Sequence, residues 1–216
     1  RYHLYEQVYL HKTTRGVEAM LRVLLSDVAE AIRHRAWAKV GLDKNDPLVR
    51  FFTDGGESIE NYLALDDFSV WSAIARVADS KDKAASDLAR RLRERRLYKA
   101  LDINAECPIV PGEEPDQTEE RRQREILRVQ TEFGDQIGRT VLIDSARIGI
   151  YGEIGADQAR THNMLAIQLR DGTTREITQL SPTVRALGKE RTIVRFYFRD
   201  EGMRAKARSG GSNDQT

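Results

Sequence analysis

Arg191-Thr-Ile-Val-Arg-Phe-Tyr-Phe-Arg199 is the stretch on which the fold turns. β-Branched and aromatic residues fill its interior without a helical period, so residues 191 to 199 read as a strand. A strand needs partners. Upstream, Met164, Ala166, Ile167 and Leu169 lead into Asp171-Gly172, a hairpin signal, and Ile177 opens the expected return strand. Val141, Ile143, Ile148, Ile150 and Ile154 supply further β-favouring positions after Gly138. Between them, Ser181-Pro182 offers a cap and a first helical residue for one helix.

Before Gly138 the period is different. Val17, Met20, Leu21, Leu24, Leu25, Val28 and Ile32 recur at the 3.6-residue spacing of an amphipathic helix. Residues 1 to about 40 are therefore predicted to form one or two helices closed near Gly41, where glycine suits a C-terminal cap. Residues 42 to 64 read as a connection, with Asp46-Pro47 and Gly55-Gly56 as turn signals. Asp66 caps a predicted helix through Val70, Trp71, Ile74 and Val77. Ser80 is expected to cap the next, with Leu88 and Leu92 inward and Arg90, Arg91, Arg93, Arg95, Arg96 and Lys99 at its end. Residues 104 to 117, rich in proline and acids, read as a loop before a helix from Thr118 to Phe133. Trp37, Phe68 and Trp71 are expected in the core.

The fold class is α+β, with a mainly helical first lobe (about residues 1–133) followed by a small antiparallel sheet lobe with one helix. The expected division is a helical part over 1–103, a linker over 104–117, a connecting helix over 118–137, a small α+β assembly or regulatory lobe over 138–200 and a disordered tail over 201–216. The chain opens on Arg1 inside an amphipathic pattern that includes Leu4 and Val8, and is read as part of a longer protein.

The 216 residues carry 35 basic against 34 acidic side chains, which argues against a bulk polyanion binder. No apolar run approaches the roughly 20 residues of a membrane span. The lone Cys107 forms no internal disulfide and suits a reducing, cytoplasmic setting. Four histidines, His3, His11, His34 and His162, include no His-x-x-x-His pair and no His-Asp pair, so no metal ligand is assigned in this chain. Cys107 has no histidine near it in sequence, and no nucleophilic triad is assigned.

Phosphate chemistry finds more support. Arg1, Tyr2, His3, Tyr5, Tyr9, His11, Lys12 and Arg15 concentrate cationic and phenolic groups in one stretch. Arg1, Tyr5, Tyr9 and Lys12 step by four, four and three residues, which places them on one face of a predicted helix. Guanidinium groups grip phosphate bidentately, and a tyrosine ring stacks on a base or sugar. The alternative is a solvated basic face edged with tyrosines. The run from Arg90 to Lys99 divides likewise between a solvated helix end and an anion or subunit contact.

Three stretches together carry a family resemblance. Tyr9-Leu10-His11-Lys12-Thr13-Thr14-Arg15 resembles the Tyr-x-His-Lys-x-x-Arg segment of HD-domain phosphohydrolases, in their deoxynucleoside triphosphate triphosphohydrolase (dGTPase-like) branch. Tyr62-Leu63-Ala64-Leu65-Asp66-Asp67-Phe68 resembles that family's turn into its next helix, and Arg95-Arg96-Leu97-Tyr98-Lys99 its Arg-x-Leu-Phe/Tyr-Lys segment at a helix end. A weaker likeness runs through Val141-Leu142-Ile143-Asp144 and from Arg175 to Leu187.

The resemblance implies a metal-dependent phosphohydrolase acting on nucleotides, converting a deoxynucleoside triphosphate to deoxynucleoside plus triphosphate. It implies substrate contacts by Arg1, on the triphosphate, and by Tyr9, along the sugar; Tyr5, on the same predicted helix face, is taken as a substrate-binding residue with them. His11, Lys12 and Arg15 are implied at a regulatory or subunit interface. Leu10 departs from the family, which has a polar base-reading residue there. The family's metal ligands precede the matched region, so this chain is expected to be inactive alone and to bind no cofactor. A divalent metal (Mn, Mg, Fe or Zn) is expected in the complete enzyme. The expected partners are a nucleoside triphosphate and further copies of the chain, as a dimer or tetramer, with no membrane and nucleic acid disfavoured. The alternative is a non-catalytic nucleotide-binding or assembly module that works with a partner subunit.

Overall fold

The computed structural model describes residues 4–148, 166–184 and 191–210. Its class is α+β, as the change of period predicts. A short π-helical turn, Tyr5–Tyr9, leads into helix α1, Lys12–Arg33. A 3-10 turn, Trp37–Val40, ends on Gly41 in the left-handed region at φ 77°. Helices α2 (Pro47–Thr53), α3 (Ile59–Leu63), α4 (Asp67–Ala78) and α5 (Lys83–Arg93) follow. Strand β1 is Lys99–Asp102, running directly into α6, Ile103–Glu106, and α7 is Pro115–Glu132. Next come β2 (Val141–Ile148), β3 (Ala166–Gln168), β4 (Thr174–Glu176) and α8 (Ile177–Leu180). Strand β5 (Arg191–Phe198) and α9 (Glu201–Ser209) complete the described chain.

The main sheet is antiparallel in the order β1-β5-β2, with the predicted strand at its centre. Alternation along β5 divides two cores. Tyr197, with Leu142 of β2, faces a cluster built on Met20, Leu24 and Val28 of α1 together with α4 and α5. Phe196 and Phe198 face the other way, onto Leu101, Val129, Phe133, Val141 and Ala207. The sheet is thus a shared wall between two helical layers. Each such fully buried apolar side chain contributes about 1.5–3 kcal/mol, which fixes the register, because a one-residue slip would exchange the faces.

Several expectations change. Residues 42 to 64 hold two helices, because Asp46 accepts from Leu48 N at 3.0 Å and Pro47 is a good first helical residue. Asp82, not Ser80, caps α5, accepting from Ala84 N and Ala85 N at 3.2 Å. Helix α5 ends at Arg93, and Arg95 at φ 55° turns the chain into β1, where a helix end was expected. Strand β1 was not anticipated; four residues with a single buried position, Leu101, carry too little period to announce it. Asp171-Gly172 does turn the β3–β4 hairpin, with Gly172 at φ 83°, but Ile177 begins a helix and the return strand stops at Glu176. The Ser181 hydroxyl accepts from Val184 N at 3.3 Å, as a cap should.

Residues 201–209 form a helix where a tail was expected. Asp200 caps it through Met203 N at 3.0 Å, and Ala207 is buried in the second core. Trp37 packs against the first core, but Trp71 is half exposed and Phe68 is 85% exposed. The inward face of α4 is taken by Ala73, Ile74, Val77 and Ala78. Within 104–117 the chain is helical to Glu106 and again from Pro115. The rest is pinned to α7: Arg121 donates to the Glu113 carboxylate and the Pro108 carbonyl, and Arg122 to the Cys107 carbonyl. Ile150, Ile154, Met164 and the tail from Gly211 lie outside the described residues.

Candidate anion-binding site

The site forms where the start of α1 meets the turn between α5 and β1. Leu10 and His11 interrupt the helix. His11 is extended, at φ −60° and ψ 133°, and its Nδ1 accepts from Thr13 N at 3.3 Å, so α1 begins afresh at Lys12. Tyr9 and Lys12 therefore do not share a face of one continuous helix, as the spacing alone suggested. The short polar cap wins over the helical step because it satisfies an N–H that the first turn leaves open.

A cavity of about 330 Å³ opens there, with Lys12, Thr13 and Gly16 on one wall and Arg95, Tyr98 and Lys99 on the other. Arg204 of α9 also lines it, and among the described residues no acidic one does. The Arg204 guanidinium is held by Glu201, at 2.6 and 3.0 Å. Among the described residues no carboxylate pairs with Lys12, Arg95 or Lys99. Three unneutralised cations around one concave surface, at the positive end of a 22-residue helix, make a local field that suits an anion. Arg95 also holds a left-handed backbone, which costs a non-glycine residue about 1 kcal/mol or more.

Tyr98 is the floor of the cavity. Its hydroxyl donates to the Arg139 carbonyl at 3.0 Å, and Arg91 lies 5.8 Å from its ring centre. Burial pushes the Tyr98 phenol up from its usual value, so it stays neutral. A second cavity, about 390 Å³, is also lined by Tyr98. Asp27 and Asp87 stand in its lining beside Lys83, Arg139 and Arg199, so it suits a polyanion less well.

The residues expected at the substrate and the interface fall into separate places. Lys12 is in the cavity wall. His11 is exposed and spends its ring nitrogen on the cap. Tyr9 is 64% exposed on the turn before α1, away from the first core. The Tyr5 backbone belongs to that same turn. Arg1 lies outside the described residues. Arg15 turns inward: its Nε donates to Asp144 Oδ2 at 2.8 Å, its Nη2 pairs with Oδ1, and Nη1 reaches Glu18 at 2.9 Å. The Asp144 carboxylate raises the already high Arg15 pKa.

Arg204 could not be found from sequence, since its helix was read as a tail. Arg95 and Lys99 stand out in the sequence as the fixed positions of the Arg-x-Leu-Tyr-Lys stretch, but only the turn at Arg95 brings them to the same cavity as Lys12. Among the described residues no three His, Cys, Asp or Glu side chains converge as ligands for a metal ion. Nor is any described helix long and apolar enough to cross a membrane.

No family model matches the chain. It is 24% identical over 201 residues to the uncharacterized protein YwfO of Bacillus subtilis (strain 168), a match covering 92% of this chain and 42% of that protein. Among solved structures it is similar to a phosphohydrolase from Bacteroides thetaiotaomicron, with a TM-score of 0.60 and 23% identity. That match covers 91% of this chain and 47% of the phosphohydrolase, so the chain spans about half the length of each. Over nine-tenths of its residues, then, the chain has the fold of part of that protein.

Proposed function

We propose that this chain is the nucleotide-gripping part of a phosphohydrolase, and that the cavity at the head of α1 receives the polyphosphate of a nucleotide. The observation that carries the reading is the convergence of Lys12, Arg95 and Lys99, without neutralising carboxylates among the described residues, on a cavity of nucleotide-phosphate size. The resemblance of the Tyr9–Arg15 and Arg95–Lys99 segments to HD-domain phosphohydrolases supports it, as does the shared fold with a phosphohydrolase. The reaction is hydrolysis of a deoxynucleoside triphosphate to deoxynucleoside and triphosphate, in a cytoplasmic homo-oligomer, dimer or tetramer. Tyr5 and Tyr9, with Arg1, are assigned to the substrate side and His11 and Lys12 to the regulatory side, while Arg15, turned inward onto Asp144, braces the regulatory side from beneath. The hydrolytic step needs a divalent metal to activate water. The resemblance puts the family's metal ligands before the matched region, so that step is proposed for a longer protein that includes this segment.

Calorimetry of the chain with inorganic triphosphate tests the binding. A charge-assisted contact contributes about 1.5–3 kcal/mol, so Arg95→Ala and Lys99→Ala should each weaken binding roughly tenfold or more. Absence of saturable binding to the unaltered chain would overturn the cavity assignment. The hydrolase assignment is tested separately in the longer protein: with Mn²⁺ and dGTP it should release triphosphate. Release from no nucleoside triphosphate would leave the second reading, a non-catalytic nucleotide-binding module with a partner subunit.

A further inference from the structure

The two walls of the cavity are joined through a row of charges on the sheet. Asp102 of β1 and Asp144 of β2 stand opposite Arg195 of β5 in register, so the three share one face. It is the face that carries Tyr197 and Leu142 toward α1. An alternating row of carboxylate, guanidinium and carboxylate thus crosses the sheet beneath the start of that helix. Arg195 is 8% exposed, Asp144 is 7% and both are held by partners.

Arg195 uses its fork in two directions. Nε donates to Asp102 Oδ2 at 2.7 Å, and Nη1 donates to the Leu10 carbonyl at 2.5 Å. Leu10 lies in the non-helical link between the Tyr5–Tyr9 turn and Lys12. Asp102 ends the strand that Lys99 begins, roughly 10 Å away at strand spacing. One rigid guanidinium therefore references both the Lys12 wall and the Lys99 wall of the cavity. Arg15 makes the second tie, from α1 to Asp144 in the same row. A lysine at 195 would keep the charge but not the planar fork that serves two acceptors at fixed angles.

We infer that Arg195 is a positioning residue: it sets the two walls of the anion cavity relative to each other and ties the Tyr9-Leu10 link to the strand that carries Lys99. The inference rests on the cavity reading above for its ligand, but its first test does not.

In the free 216-residue chain, Arg195→Lys should speed amide hydrogen exchange across residues 8 to 12 about tenfold, with little change in the slowest-exchanging amides of α1. In triphosphate calorimetry the same variant should bind five- to tenfold more weakly. Phe196→Leu, on the opposite face of the sheet, serves as a control that lowers stability without touching the row, and it should leave triphosphate affinity unchanged. Unaltered exchange across residues 8 to 12 in Arg195→Lys overturns the tether, whatever the ligand result. Unaltered affinity alongside faster exchange overturns the link to the cavity. Failure of the unaltered chain to bind triphosphate instead strikes the cavity reading, and the tether is then decided by exchange alone. An equal affinity loss in Phe196→Leu would reduce the Arg195 effect to general destabilisation and overturn its positioning role.

Discussion

Gly16 faces Tyr197 so closely that a Cβ placed on it would stand 2.8 Å from Cε1 of the ring and 3.0 Å from Cδ1. Tyr197 is 1% exposed at the centre of the sheet, so its ring has no room to withdraw. Gly16 is where α1 lies directly on β5, and glycine is what permits that approach. Gly16→Ala is expected to destabilise the chain by about 1–3 kcal/mol through overpacking. This is larger than the roughly 0.5–1 kcal/mol that alanine gains inside a helix. Urea unfolding measures the difference, and Gly16→Ala combined with Tyr197→Leu should recover part of the loss from the single change. A stabilised Gly16→Ala would show that the helix and sheet do not meet there.

The Tyr197 hydroxyl is buried beside the Arg195 guanidinium, which spends its own well-formed hydrogen bonds on Asp102 and the Leu10 carbonyl. Burial pushes its pKa from 10 up to about 12, with the nearby Arg195 guanidinium acting against the rise. A raised folded-state pKa means that the neutral phenol is favoured by folding. Its contribution is complete below pH 10 and is lost as pH rises through about 12. Tyr197→Phe should therefore change stability by no more than about 1 kcal/mol at pH 7, since Arg195 keeps its bonds to Asp102 and Leu10. The variant should also hold its stability better between pH 10 and 12. Denaturation midpoints across that range check the sign; equal alkaline loss in both proteins would refute it.

Glu113 holds the segment before α7 closed. Hydrogen bonds from Arg121, at 2.9 and 3.1 Å, and from the Thr118 hydroxyl, at 2.8 Å, lower its pKa from 4.5 to about 2. A lowered carboxyl pKa stabilises the closed loop fully above pH 4.5 and fades as pH falls toward about 2. Amide exchange across residues 108 to 114, corrected for intrinsic rates, should therefore rise within that window. Arg121→Gln should raise it already at pH 7. A loop equally protected in Arg121→Gln would dismiss the clasp.

Asp144 and Arg15 form a pair whose worth depends on keeping both partners. Removing one leaves a charge facing a nearly closed interface, so Asp144→Ala should cost about 3 kcal/mol. Replacing both, Arg15→Met with Asp144→Leu, should cost much less than the sum of the single changes, because no charge is stranded. A double-mutant cycle by chemical denaturation gives the coupling. Additive losses would show that the two side chains do not depend on each other in solution.

The strand at 191–198, the stripe of α1 and the hairpin turn at Asp171-Gly172 were legible in the sequence, because each is dictated by local period or by a backbone angle that few residues adopt. The capped starts at Asp66 and Ser181 were legible for the same reason. Strand β1 and helix α9 were not. Strand β1 has almost no period of its own and α9 offers only Met203 and Ala207 as inward apolar residues; Leu101 and Ala207 become core because Phe196 and Phe198 meet them. The exposure of Phe68 and Trp71 was equally hidden, since four smaller residues of α4 already fill the inward face.

The candidate site divides in the same way. Sequence alone supplied its residue types: a Tyr-x-His-Lys-x-x-Arg stretch and an Arg-x-Leu-Tyr-Lys stretch, both cationic, more than 80 positions apart. Which cations face the cavity and which are spent elsewhere was decided by tertiary structure. Arg15 falls opposite Asp144, buried in the sheet, and is neutralised; Lys12, three residues earlier, faces Arg95 and Lys99 and is not. Charge is a property of the side chain, but whether it is available depends on what the fold places beside it.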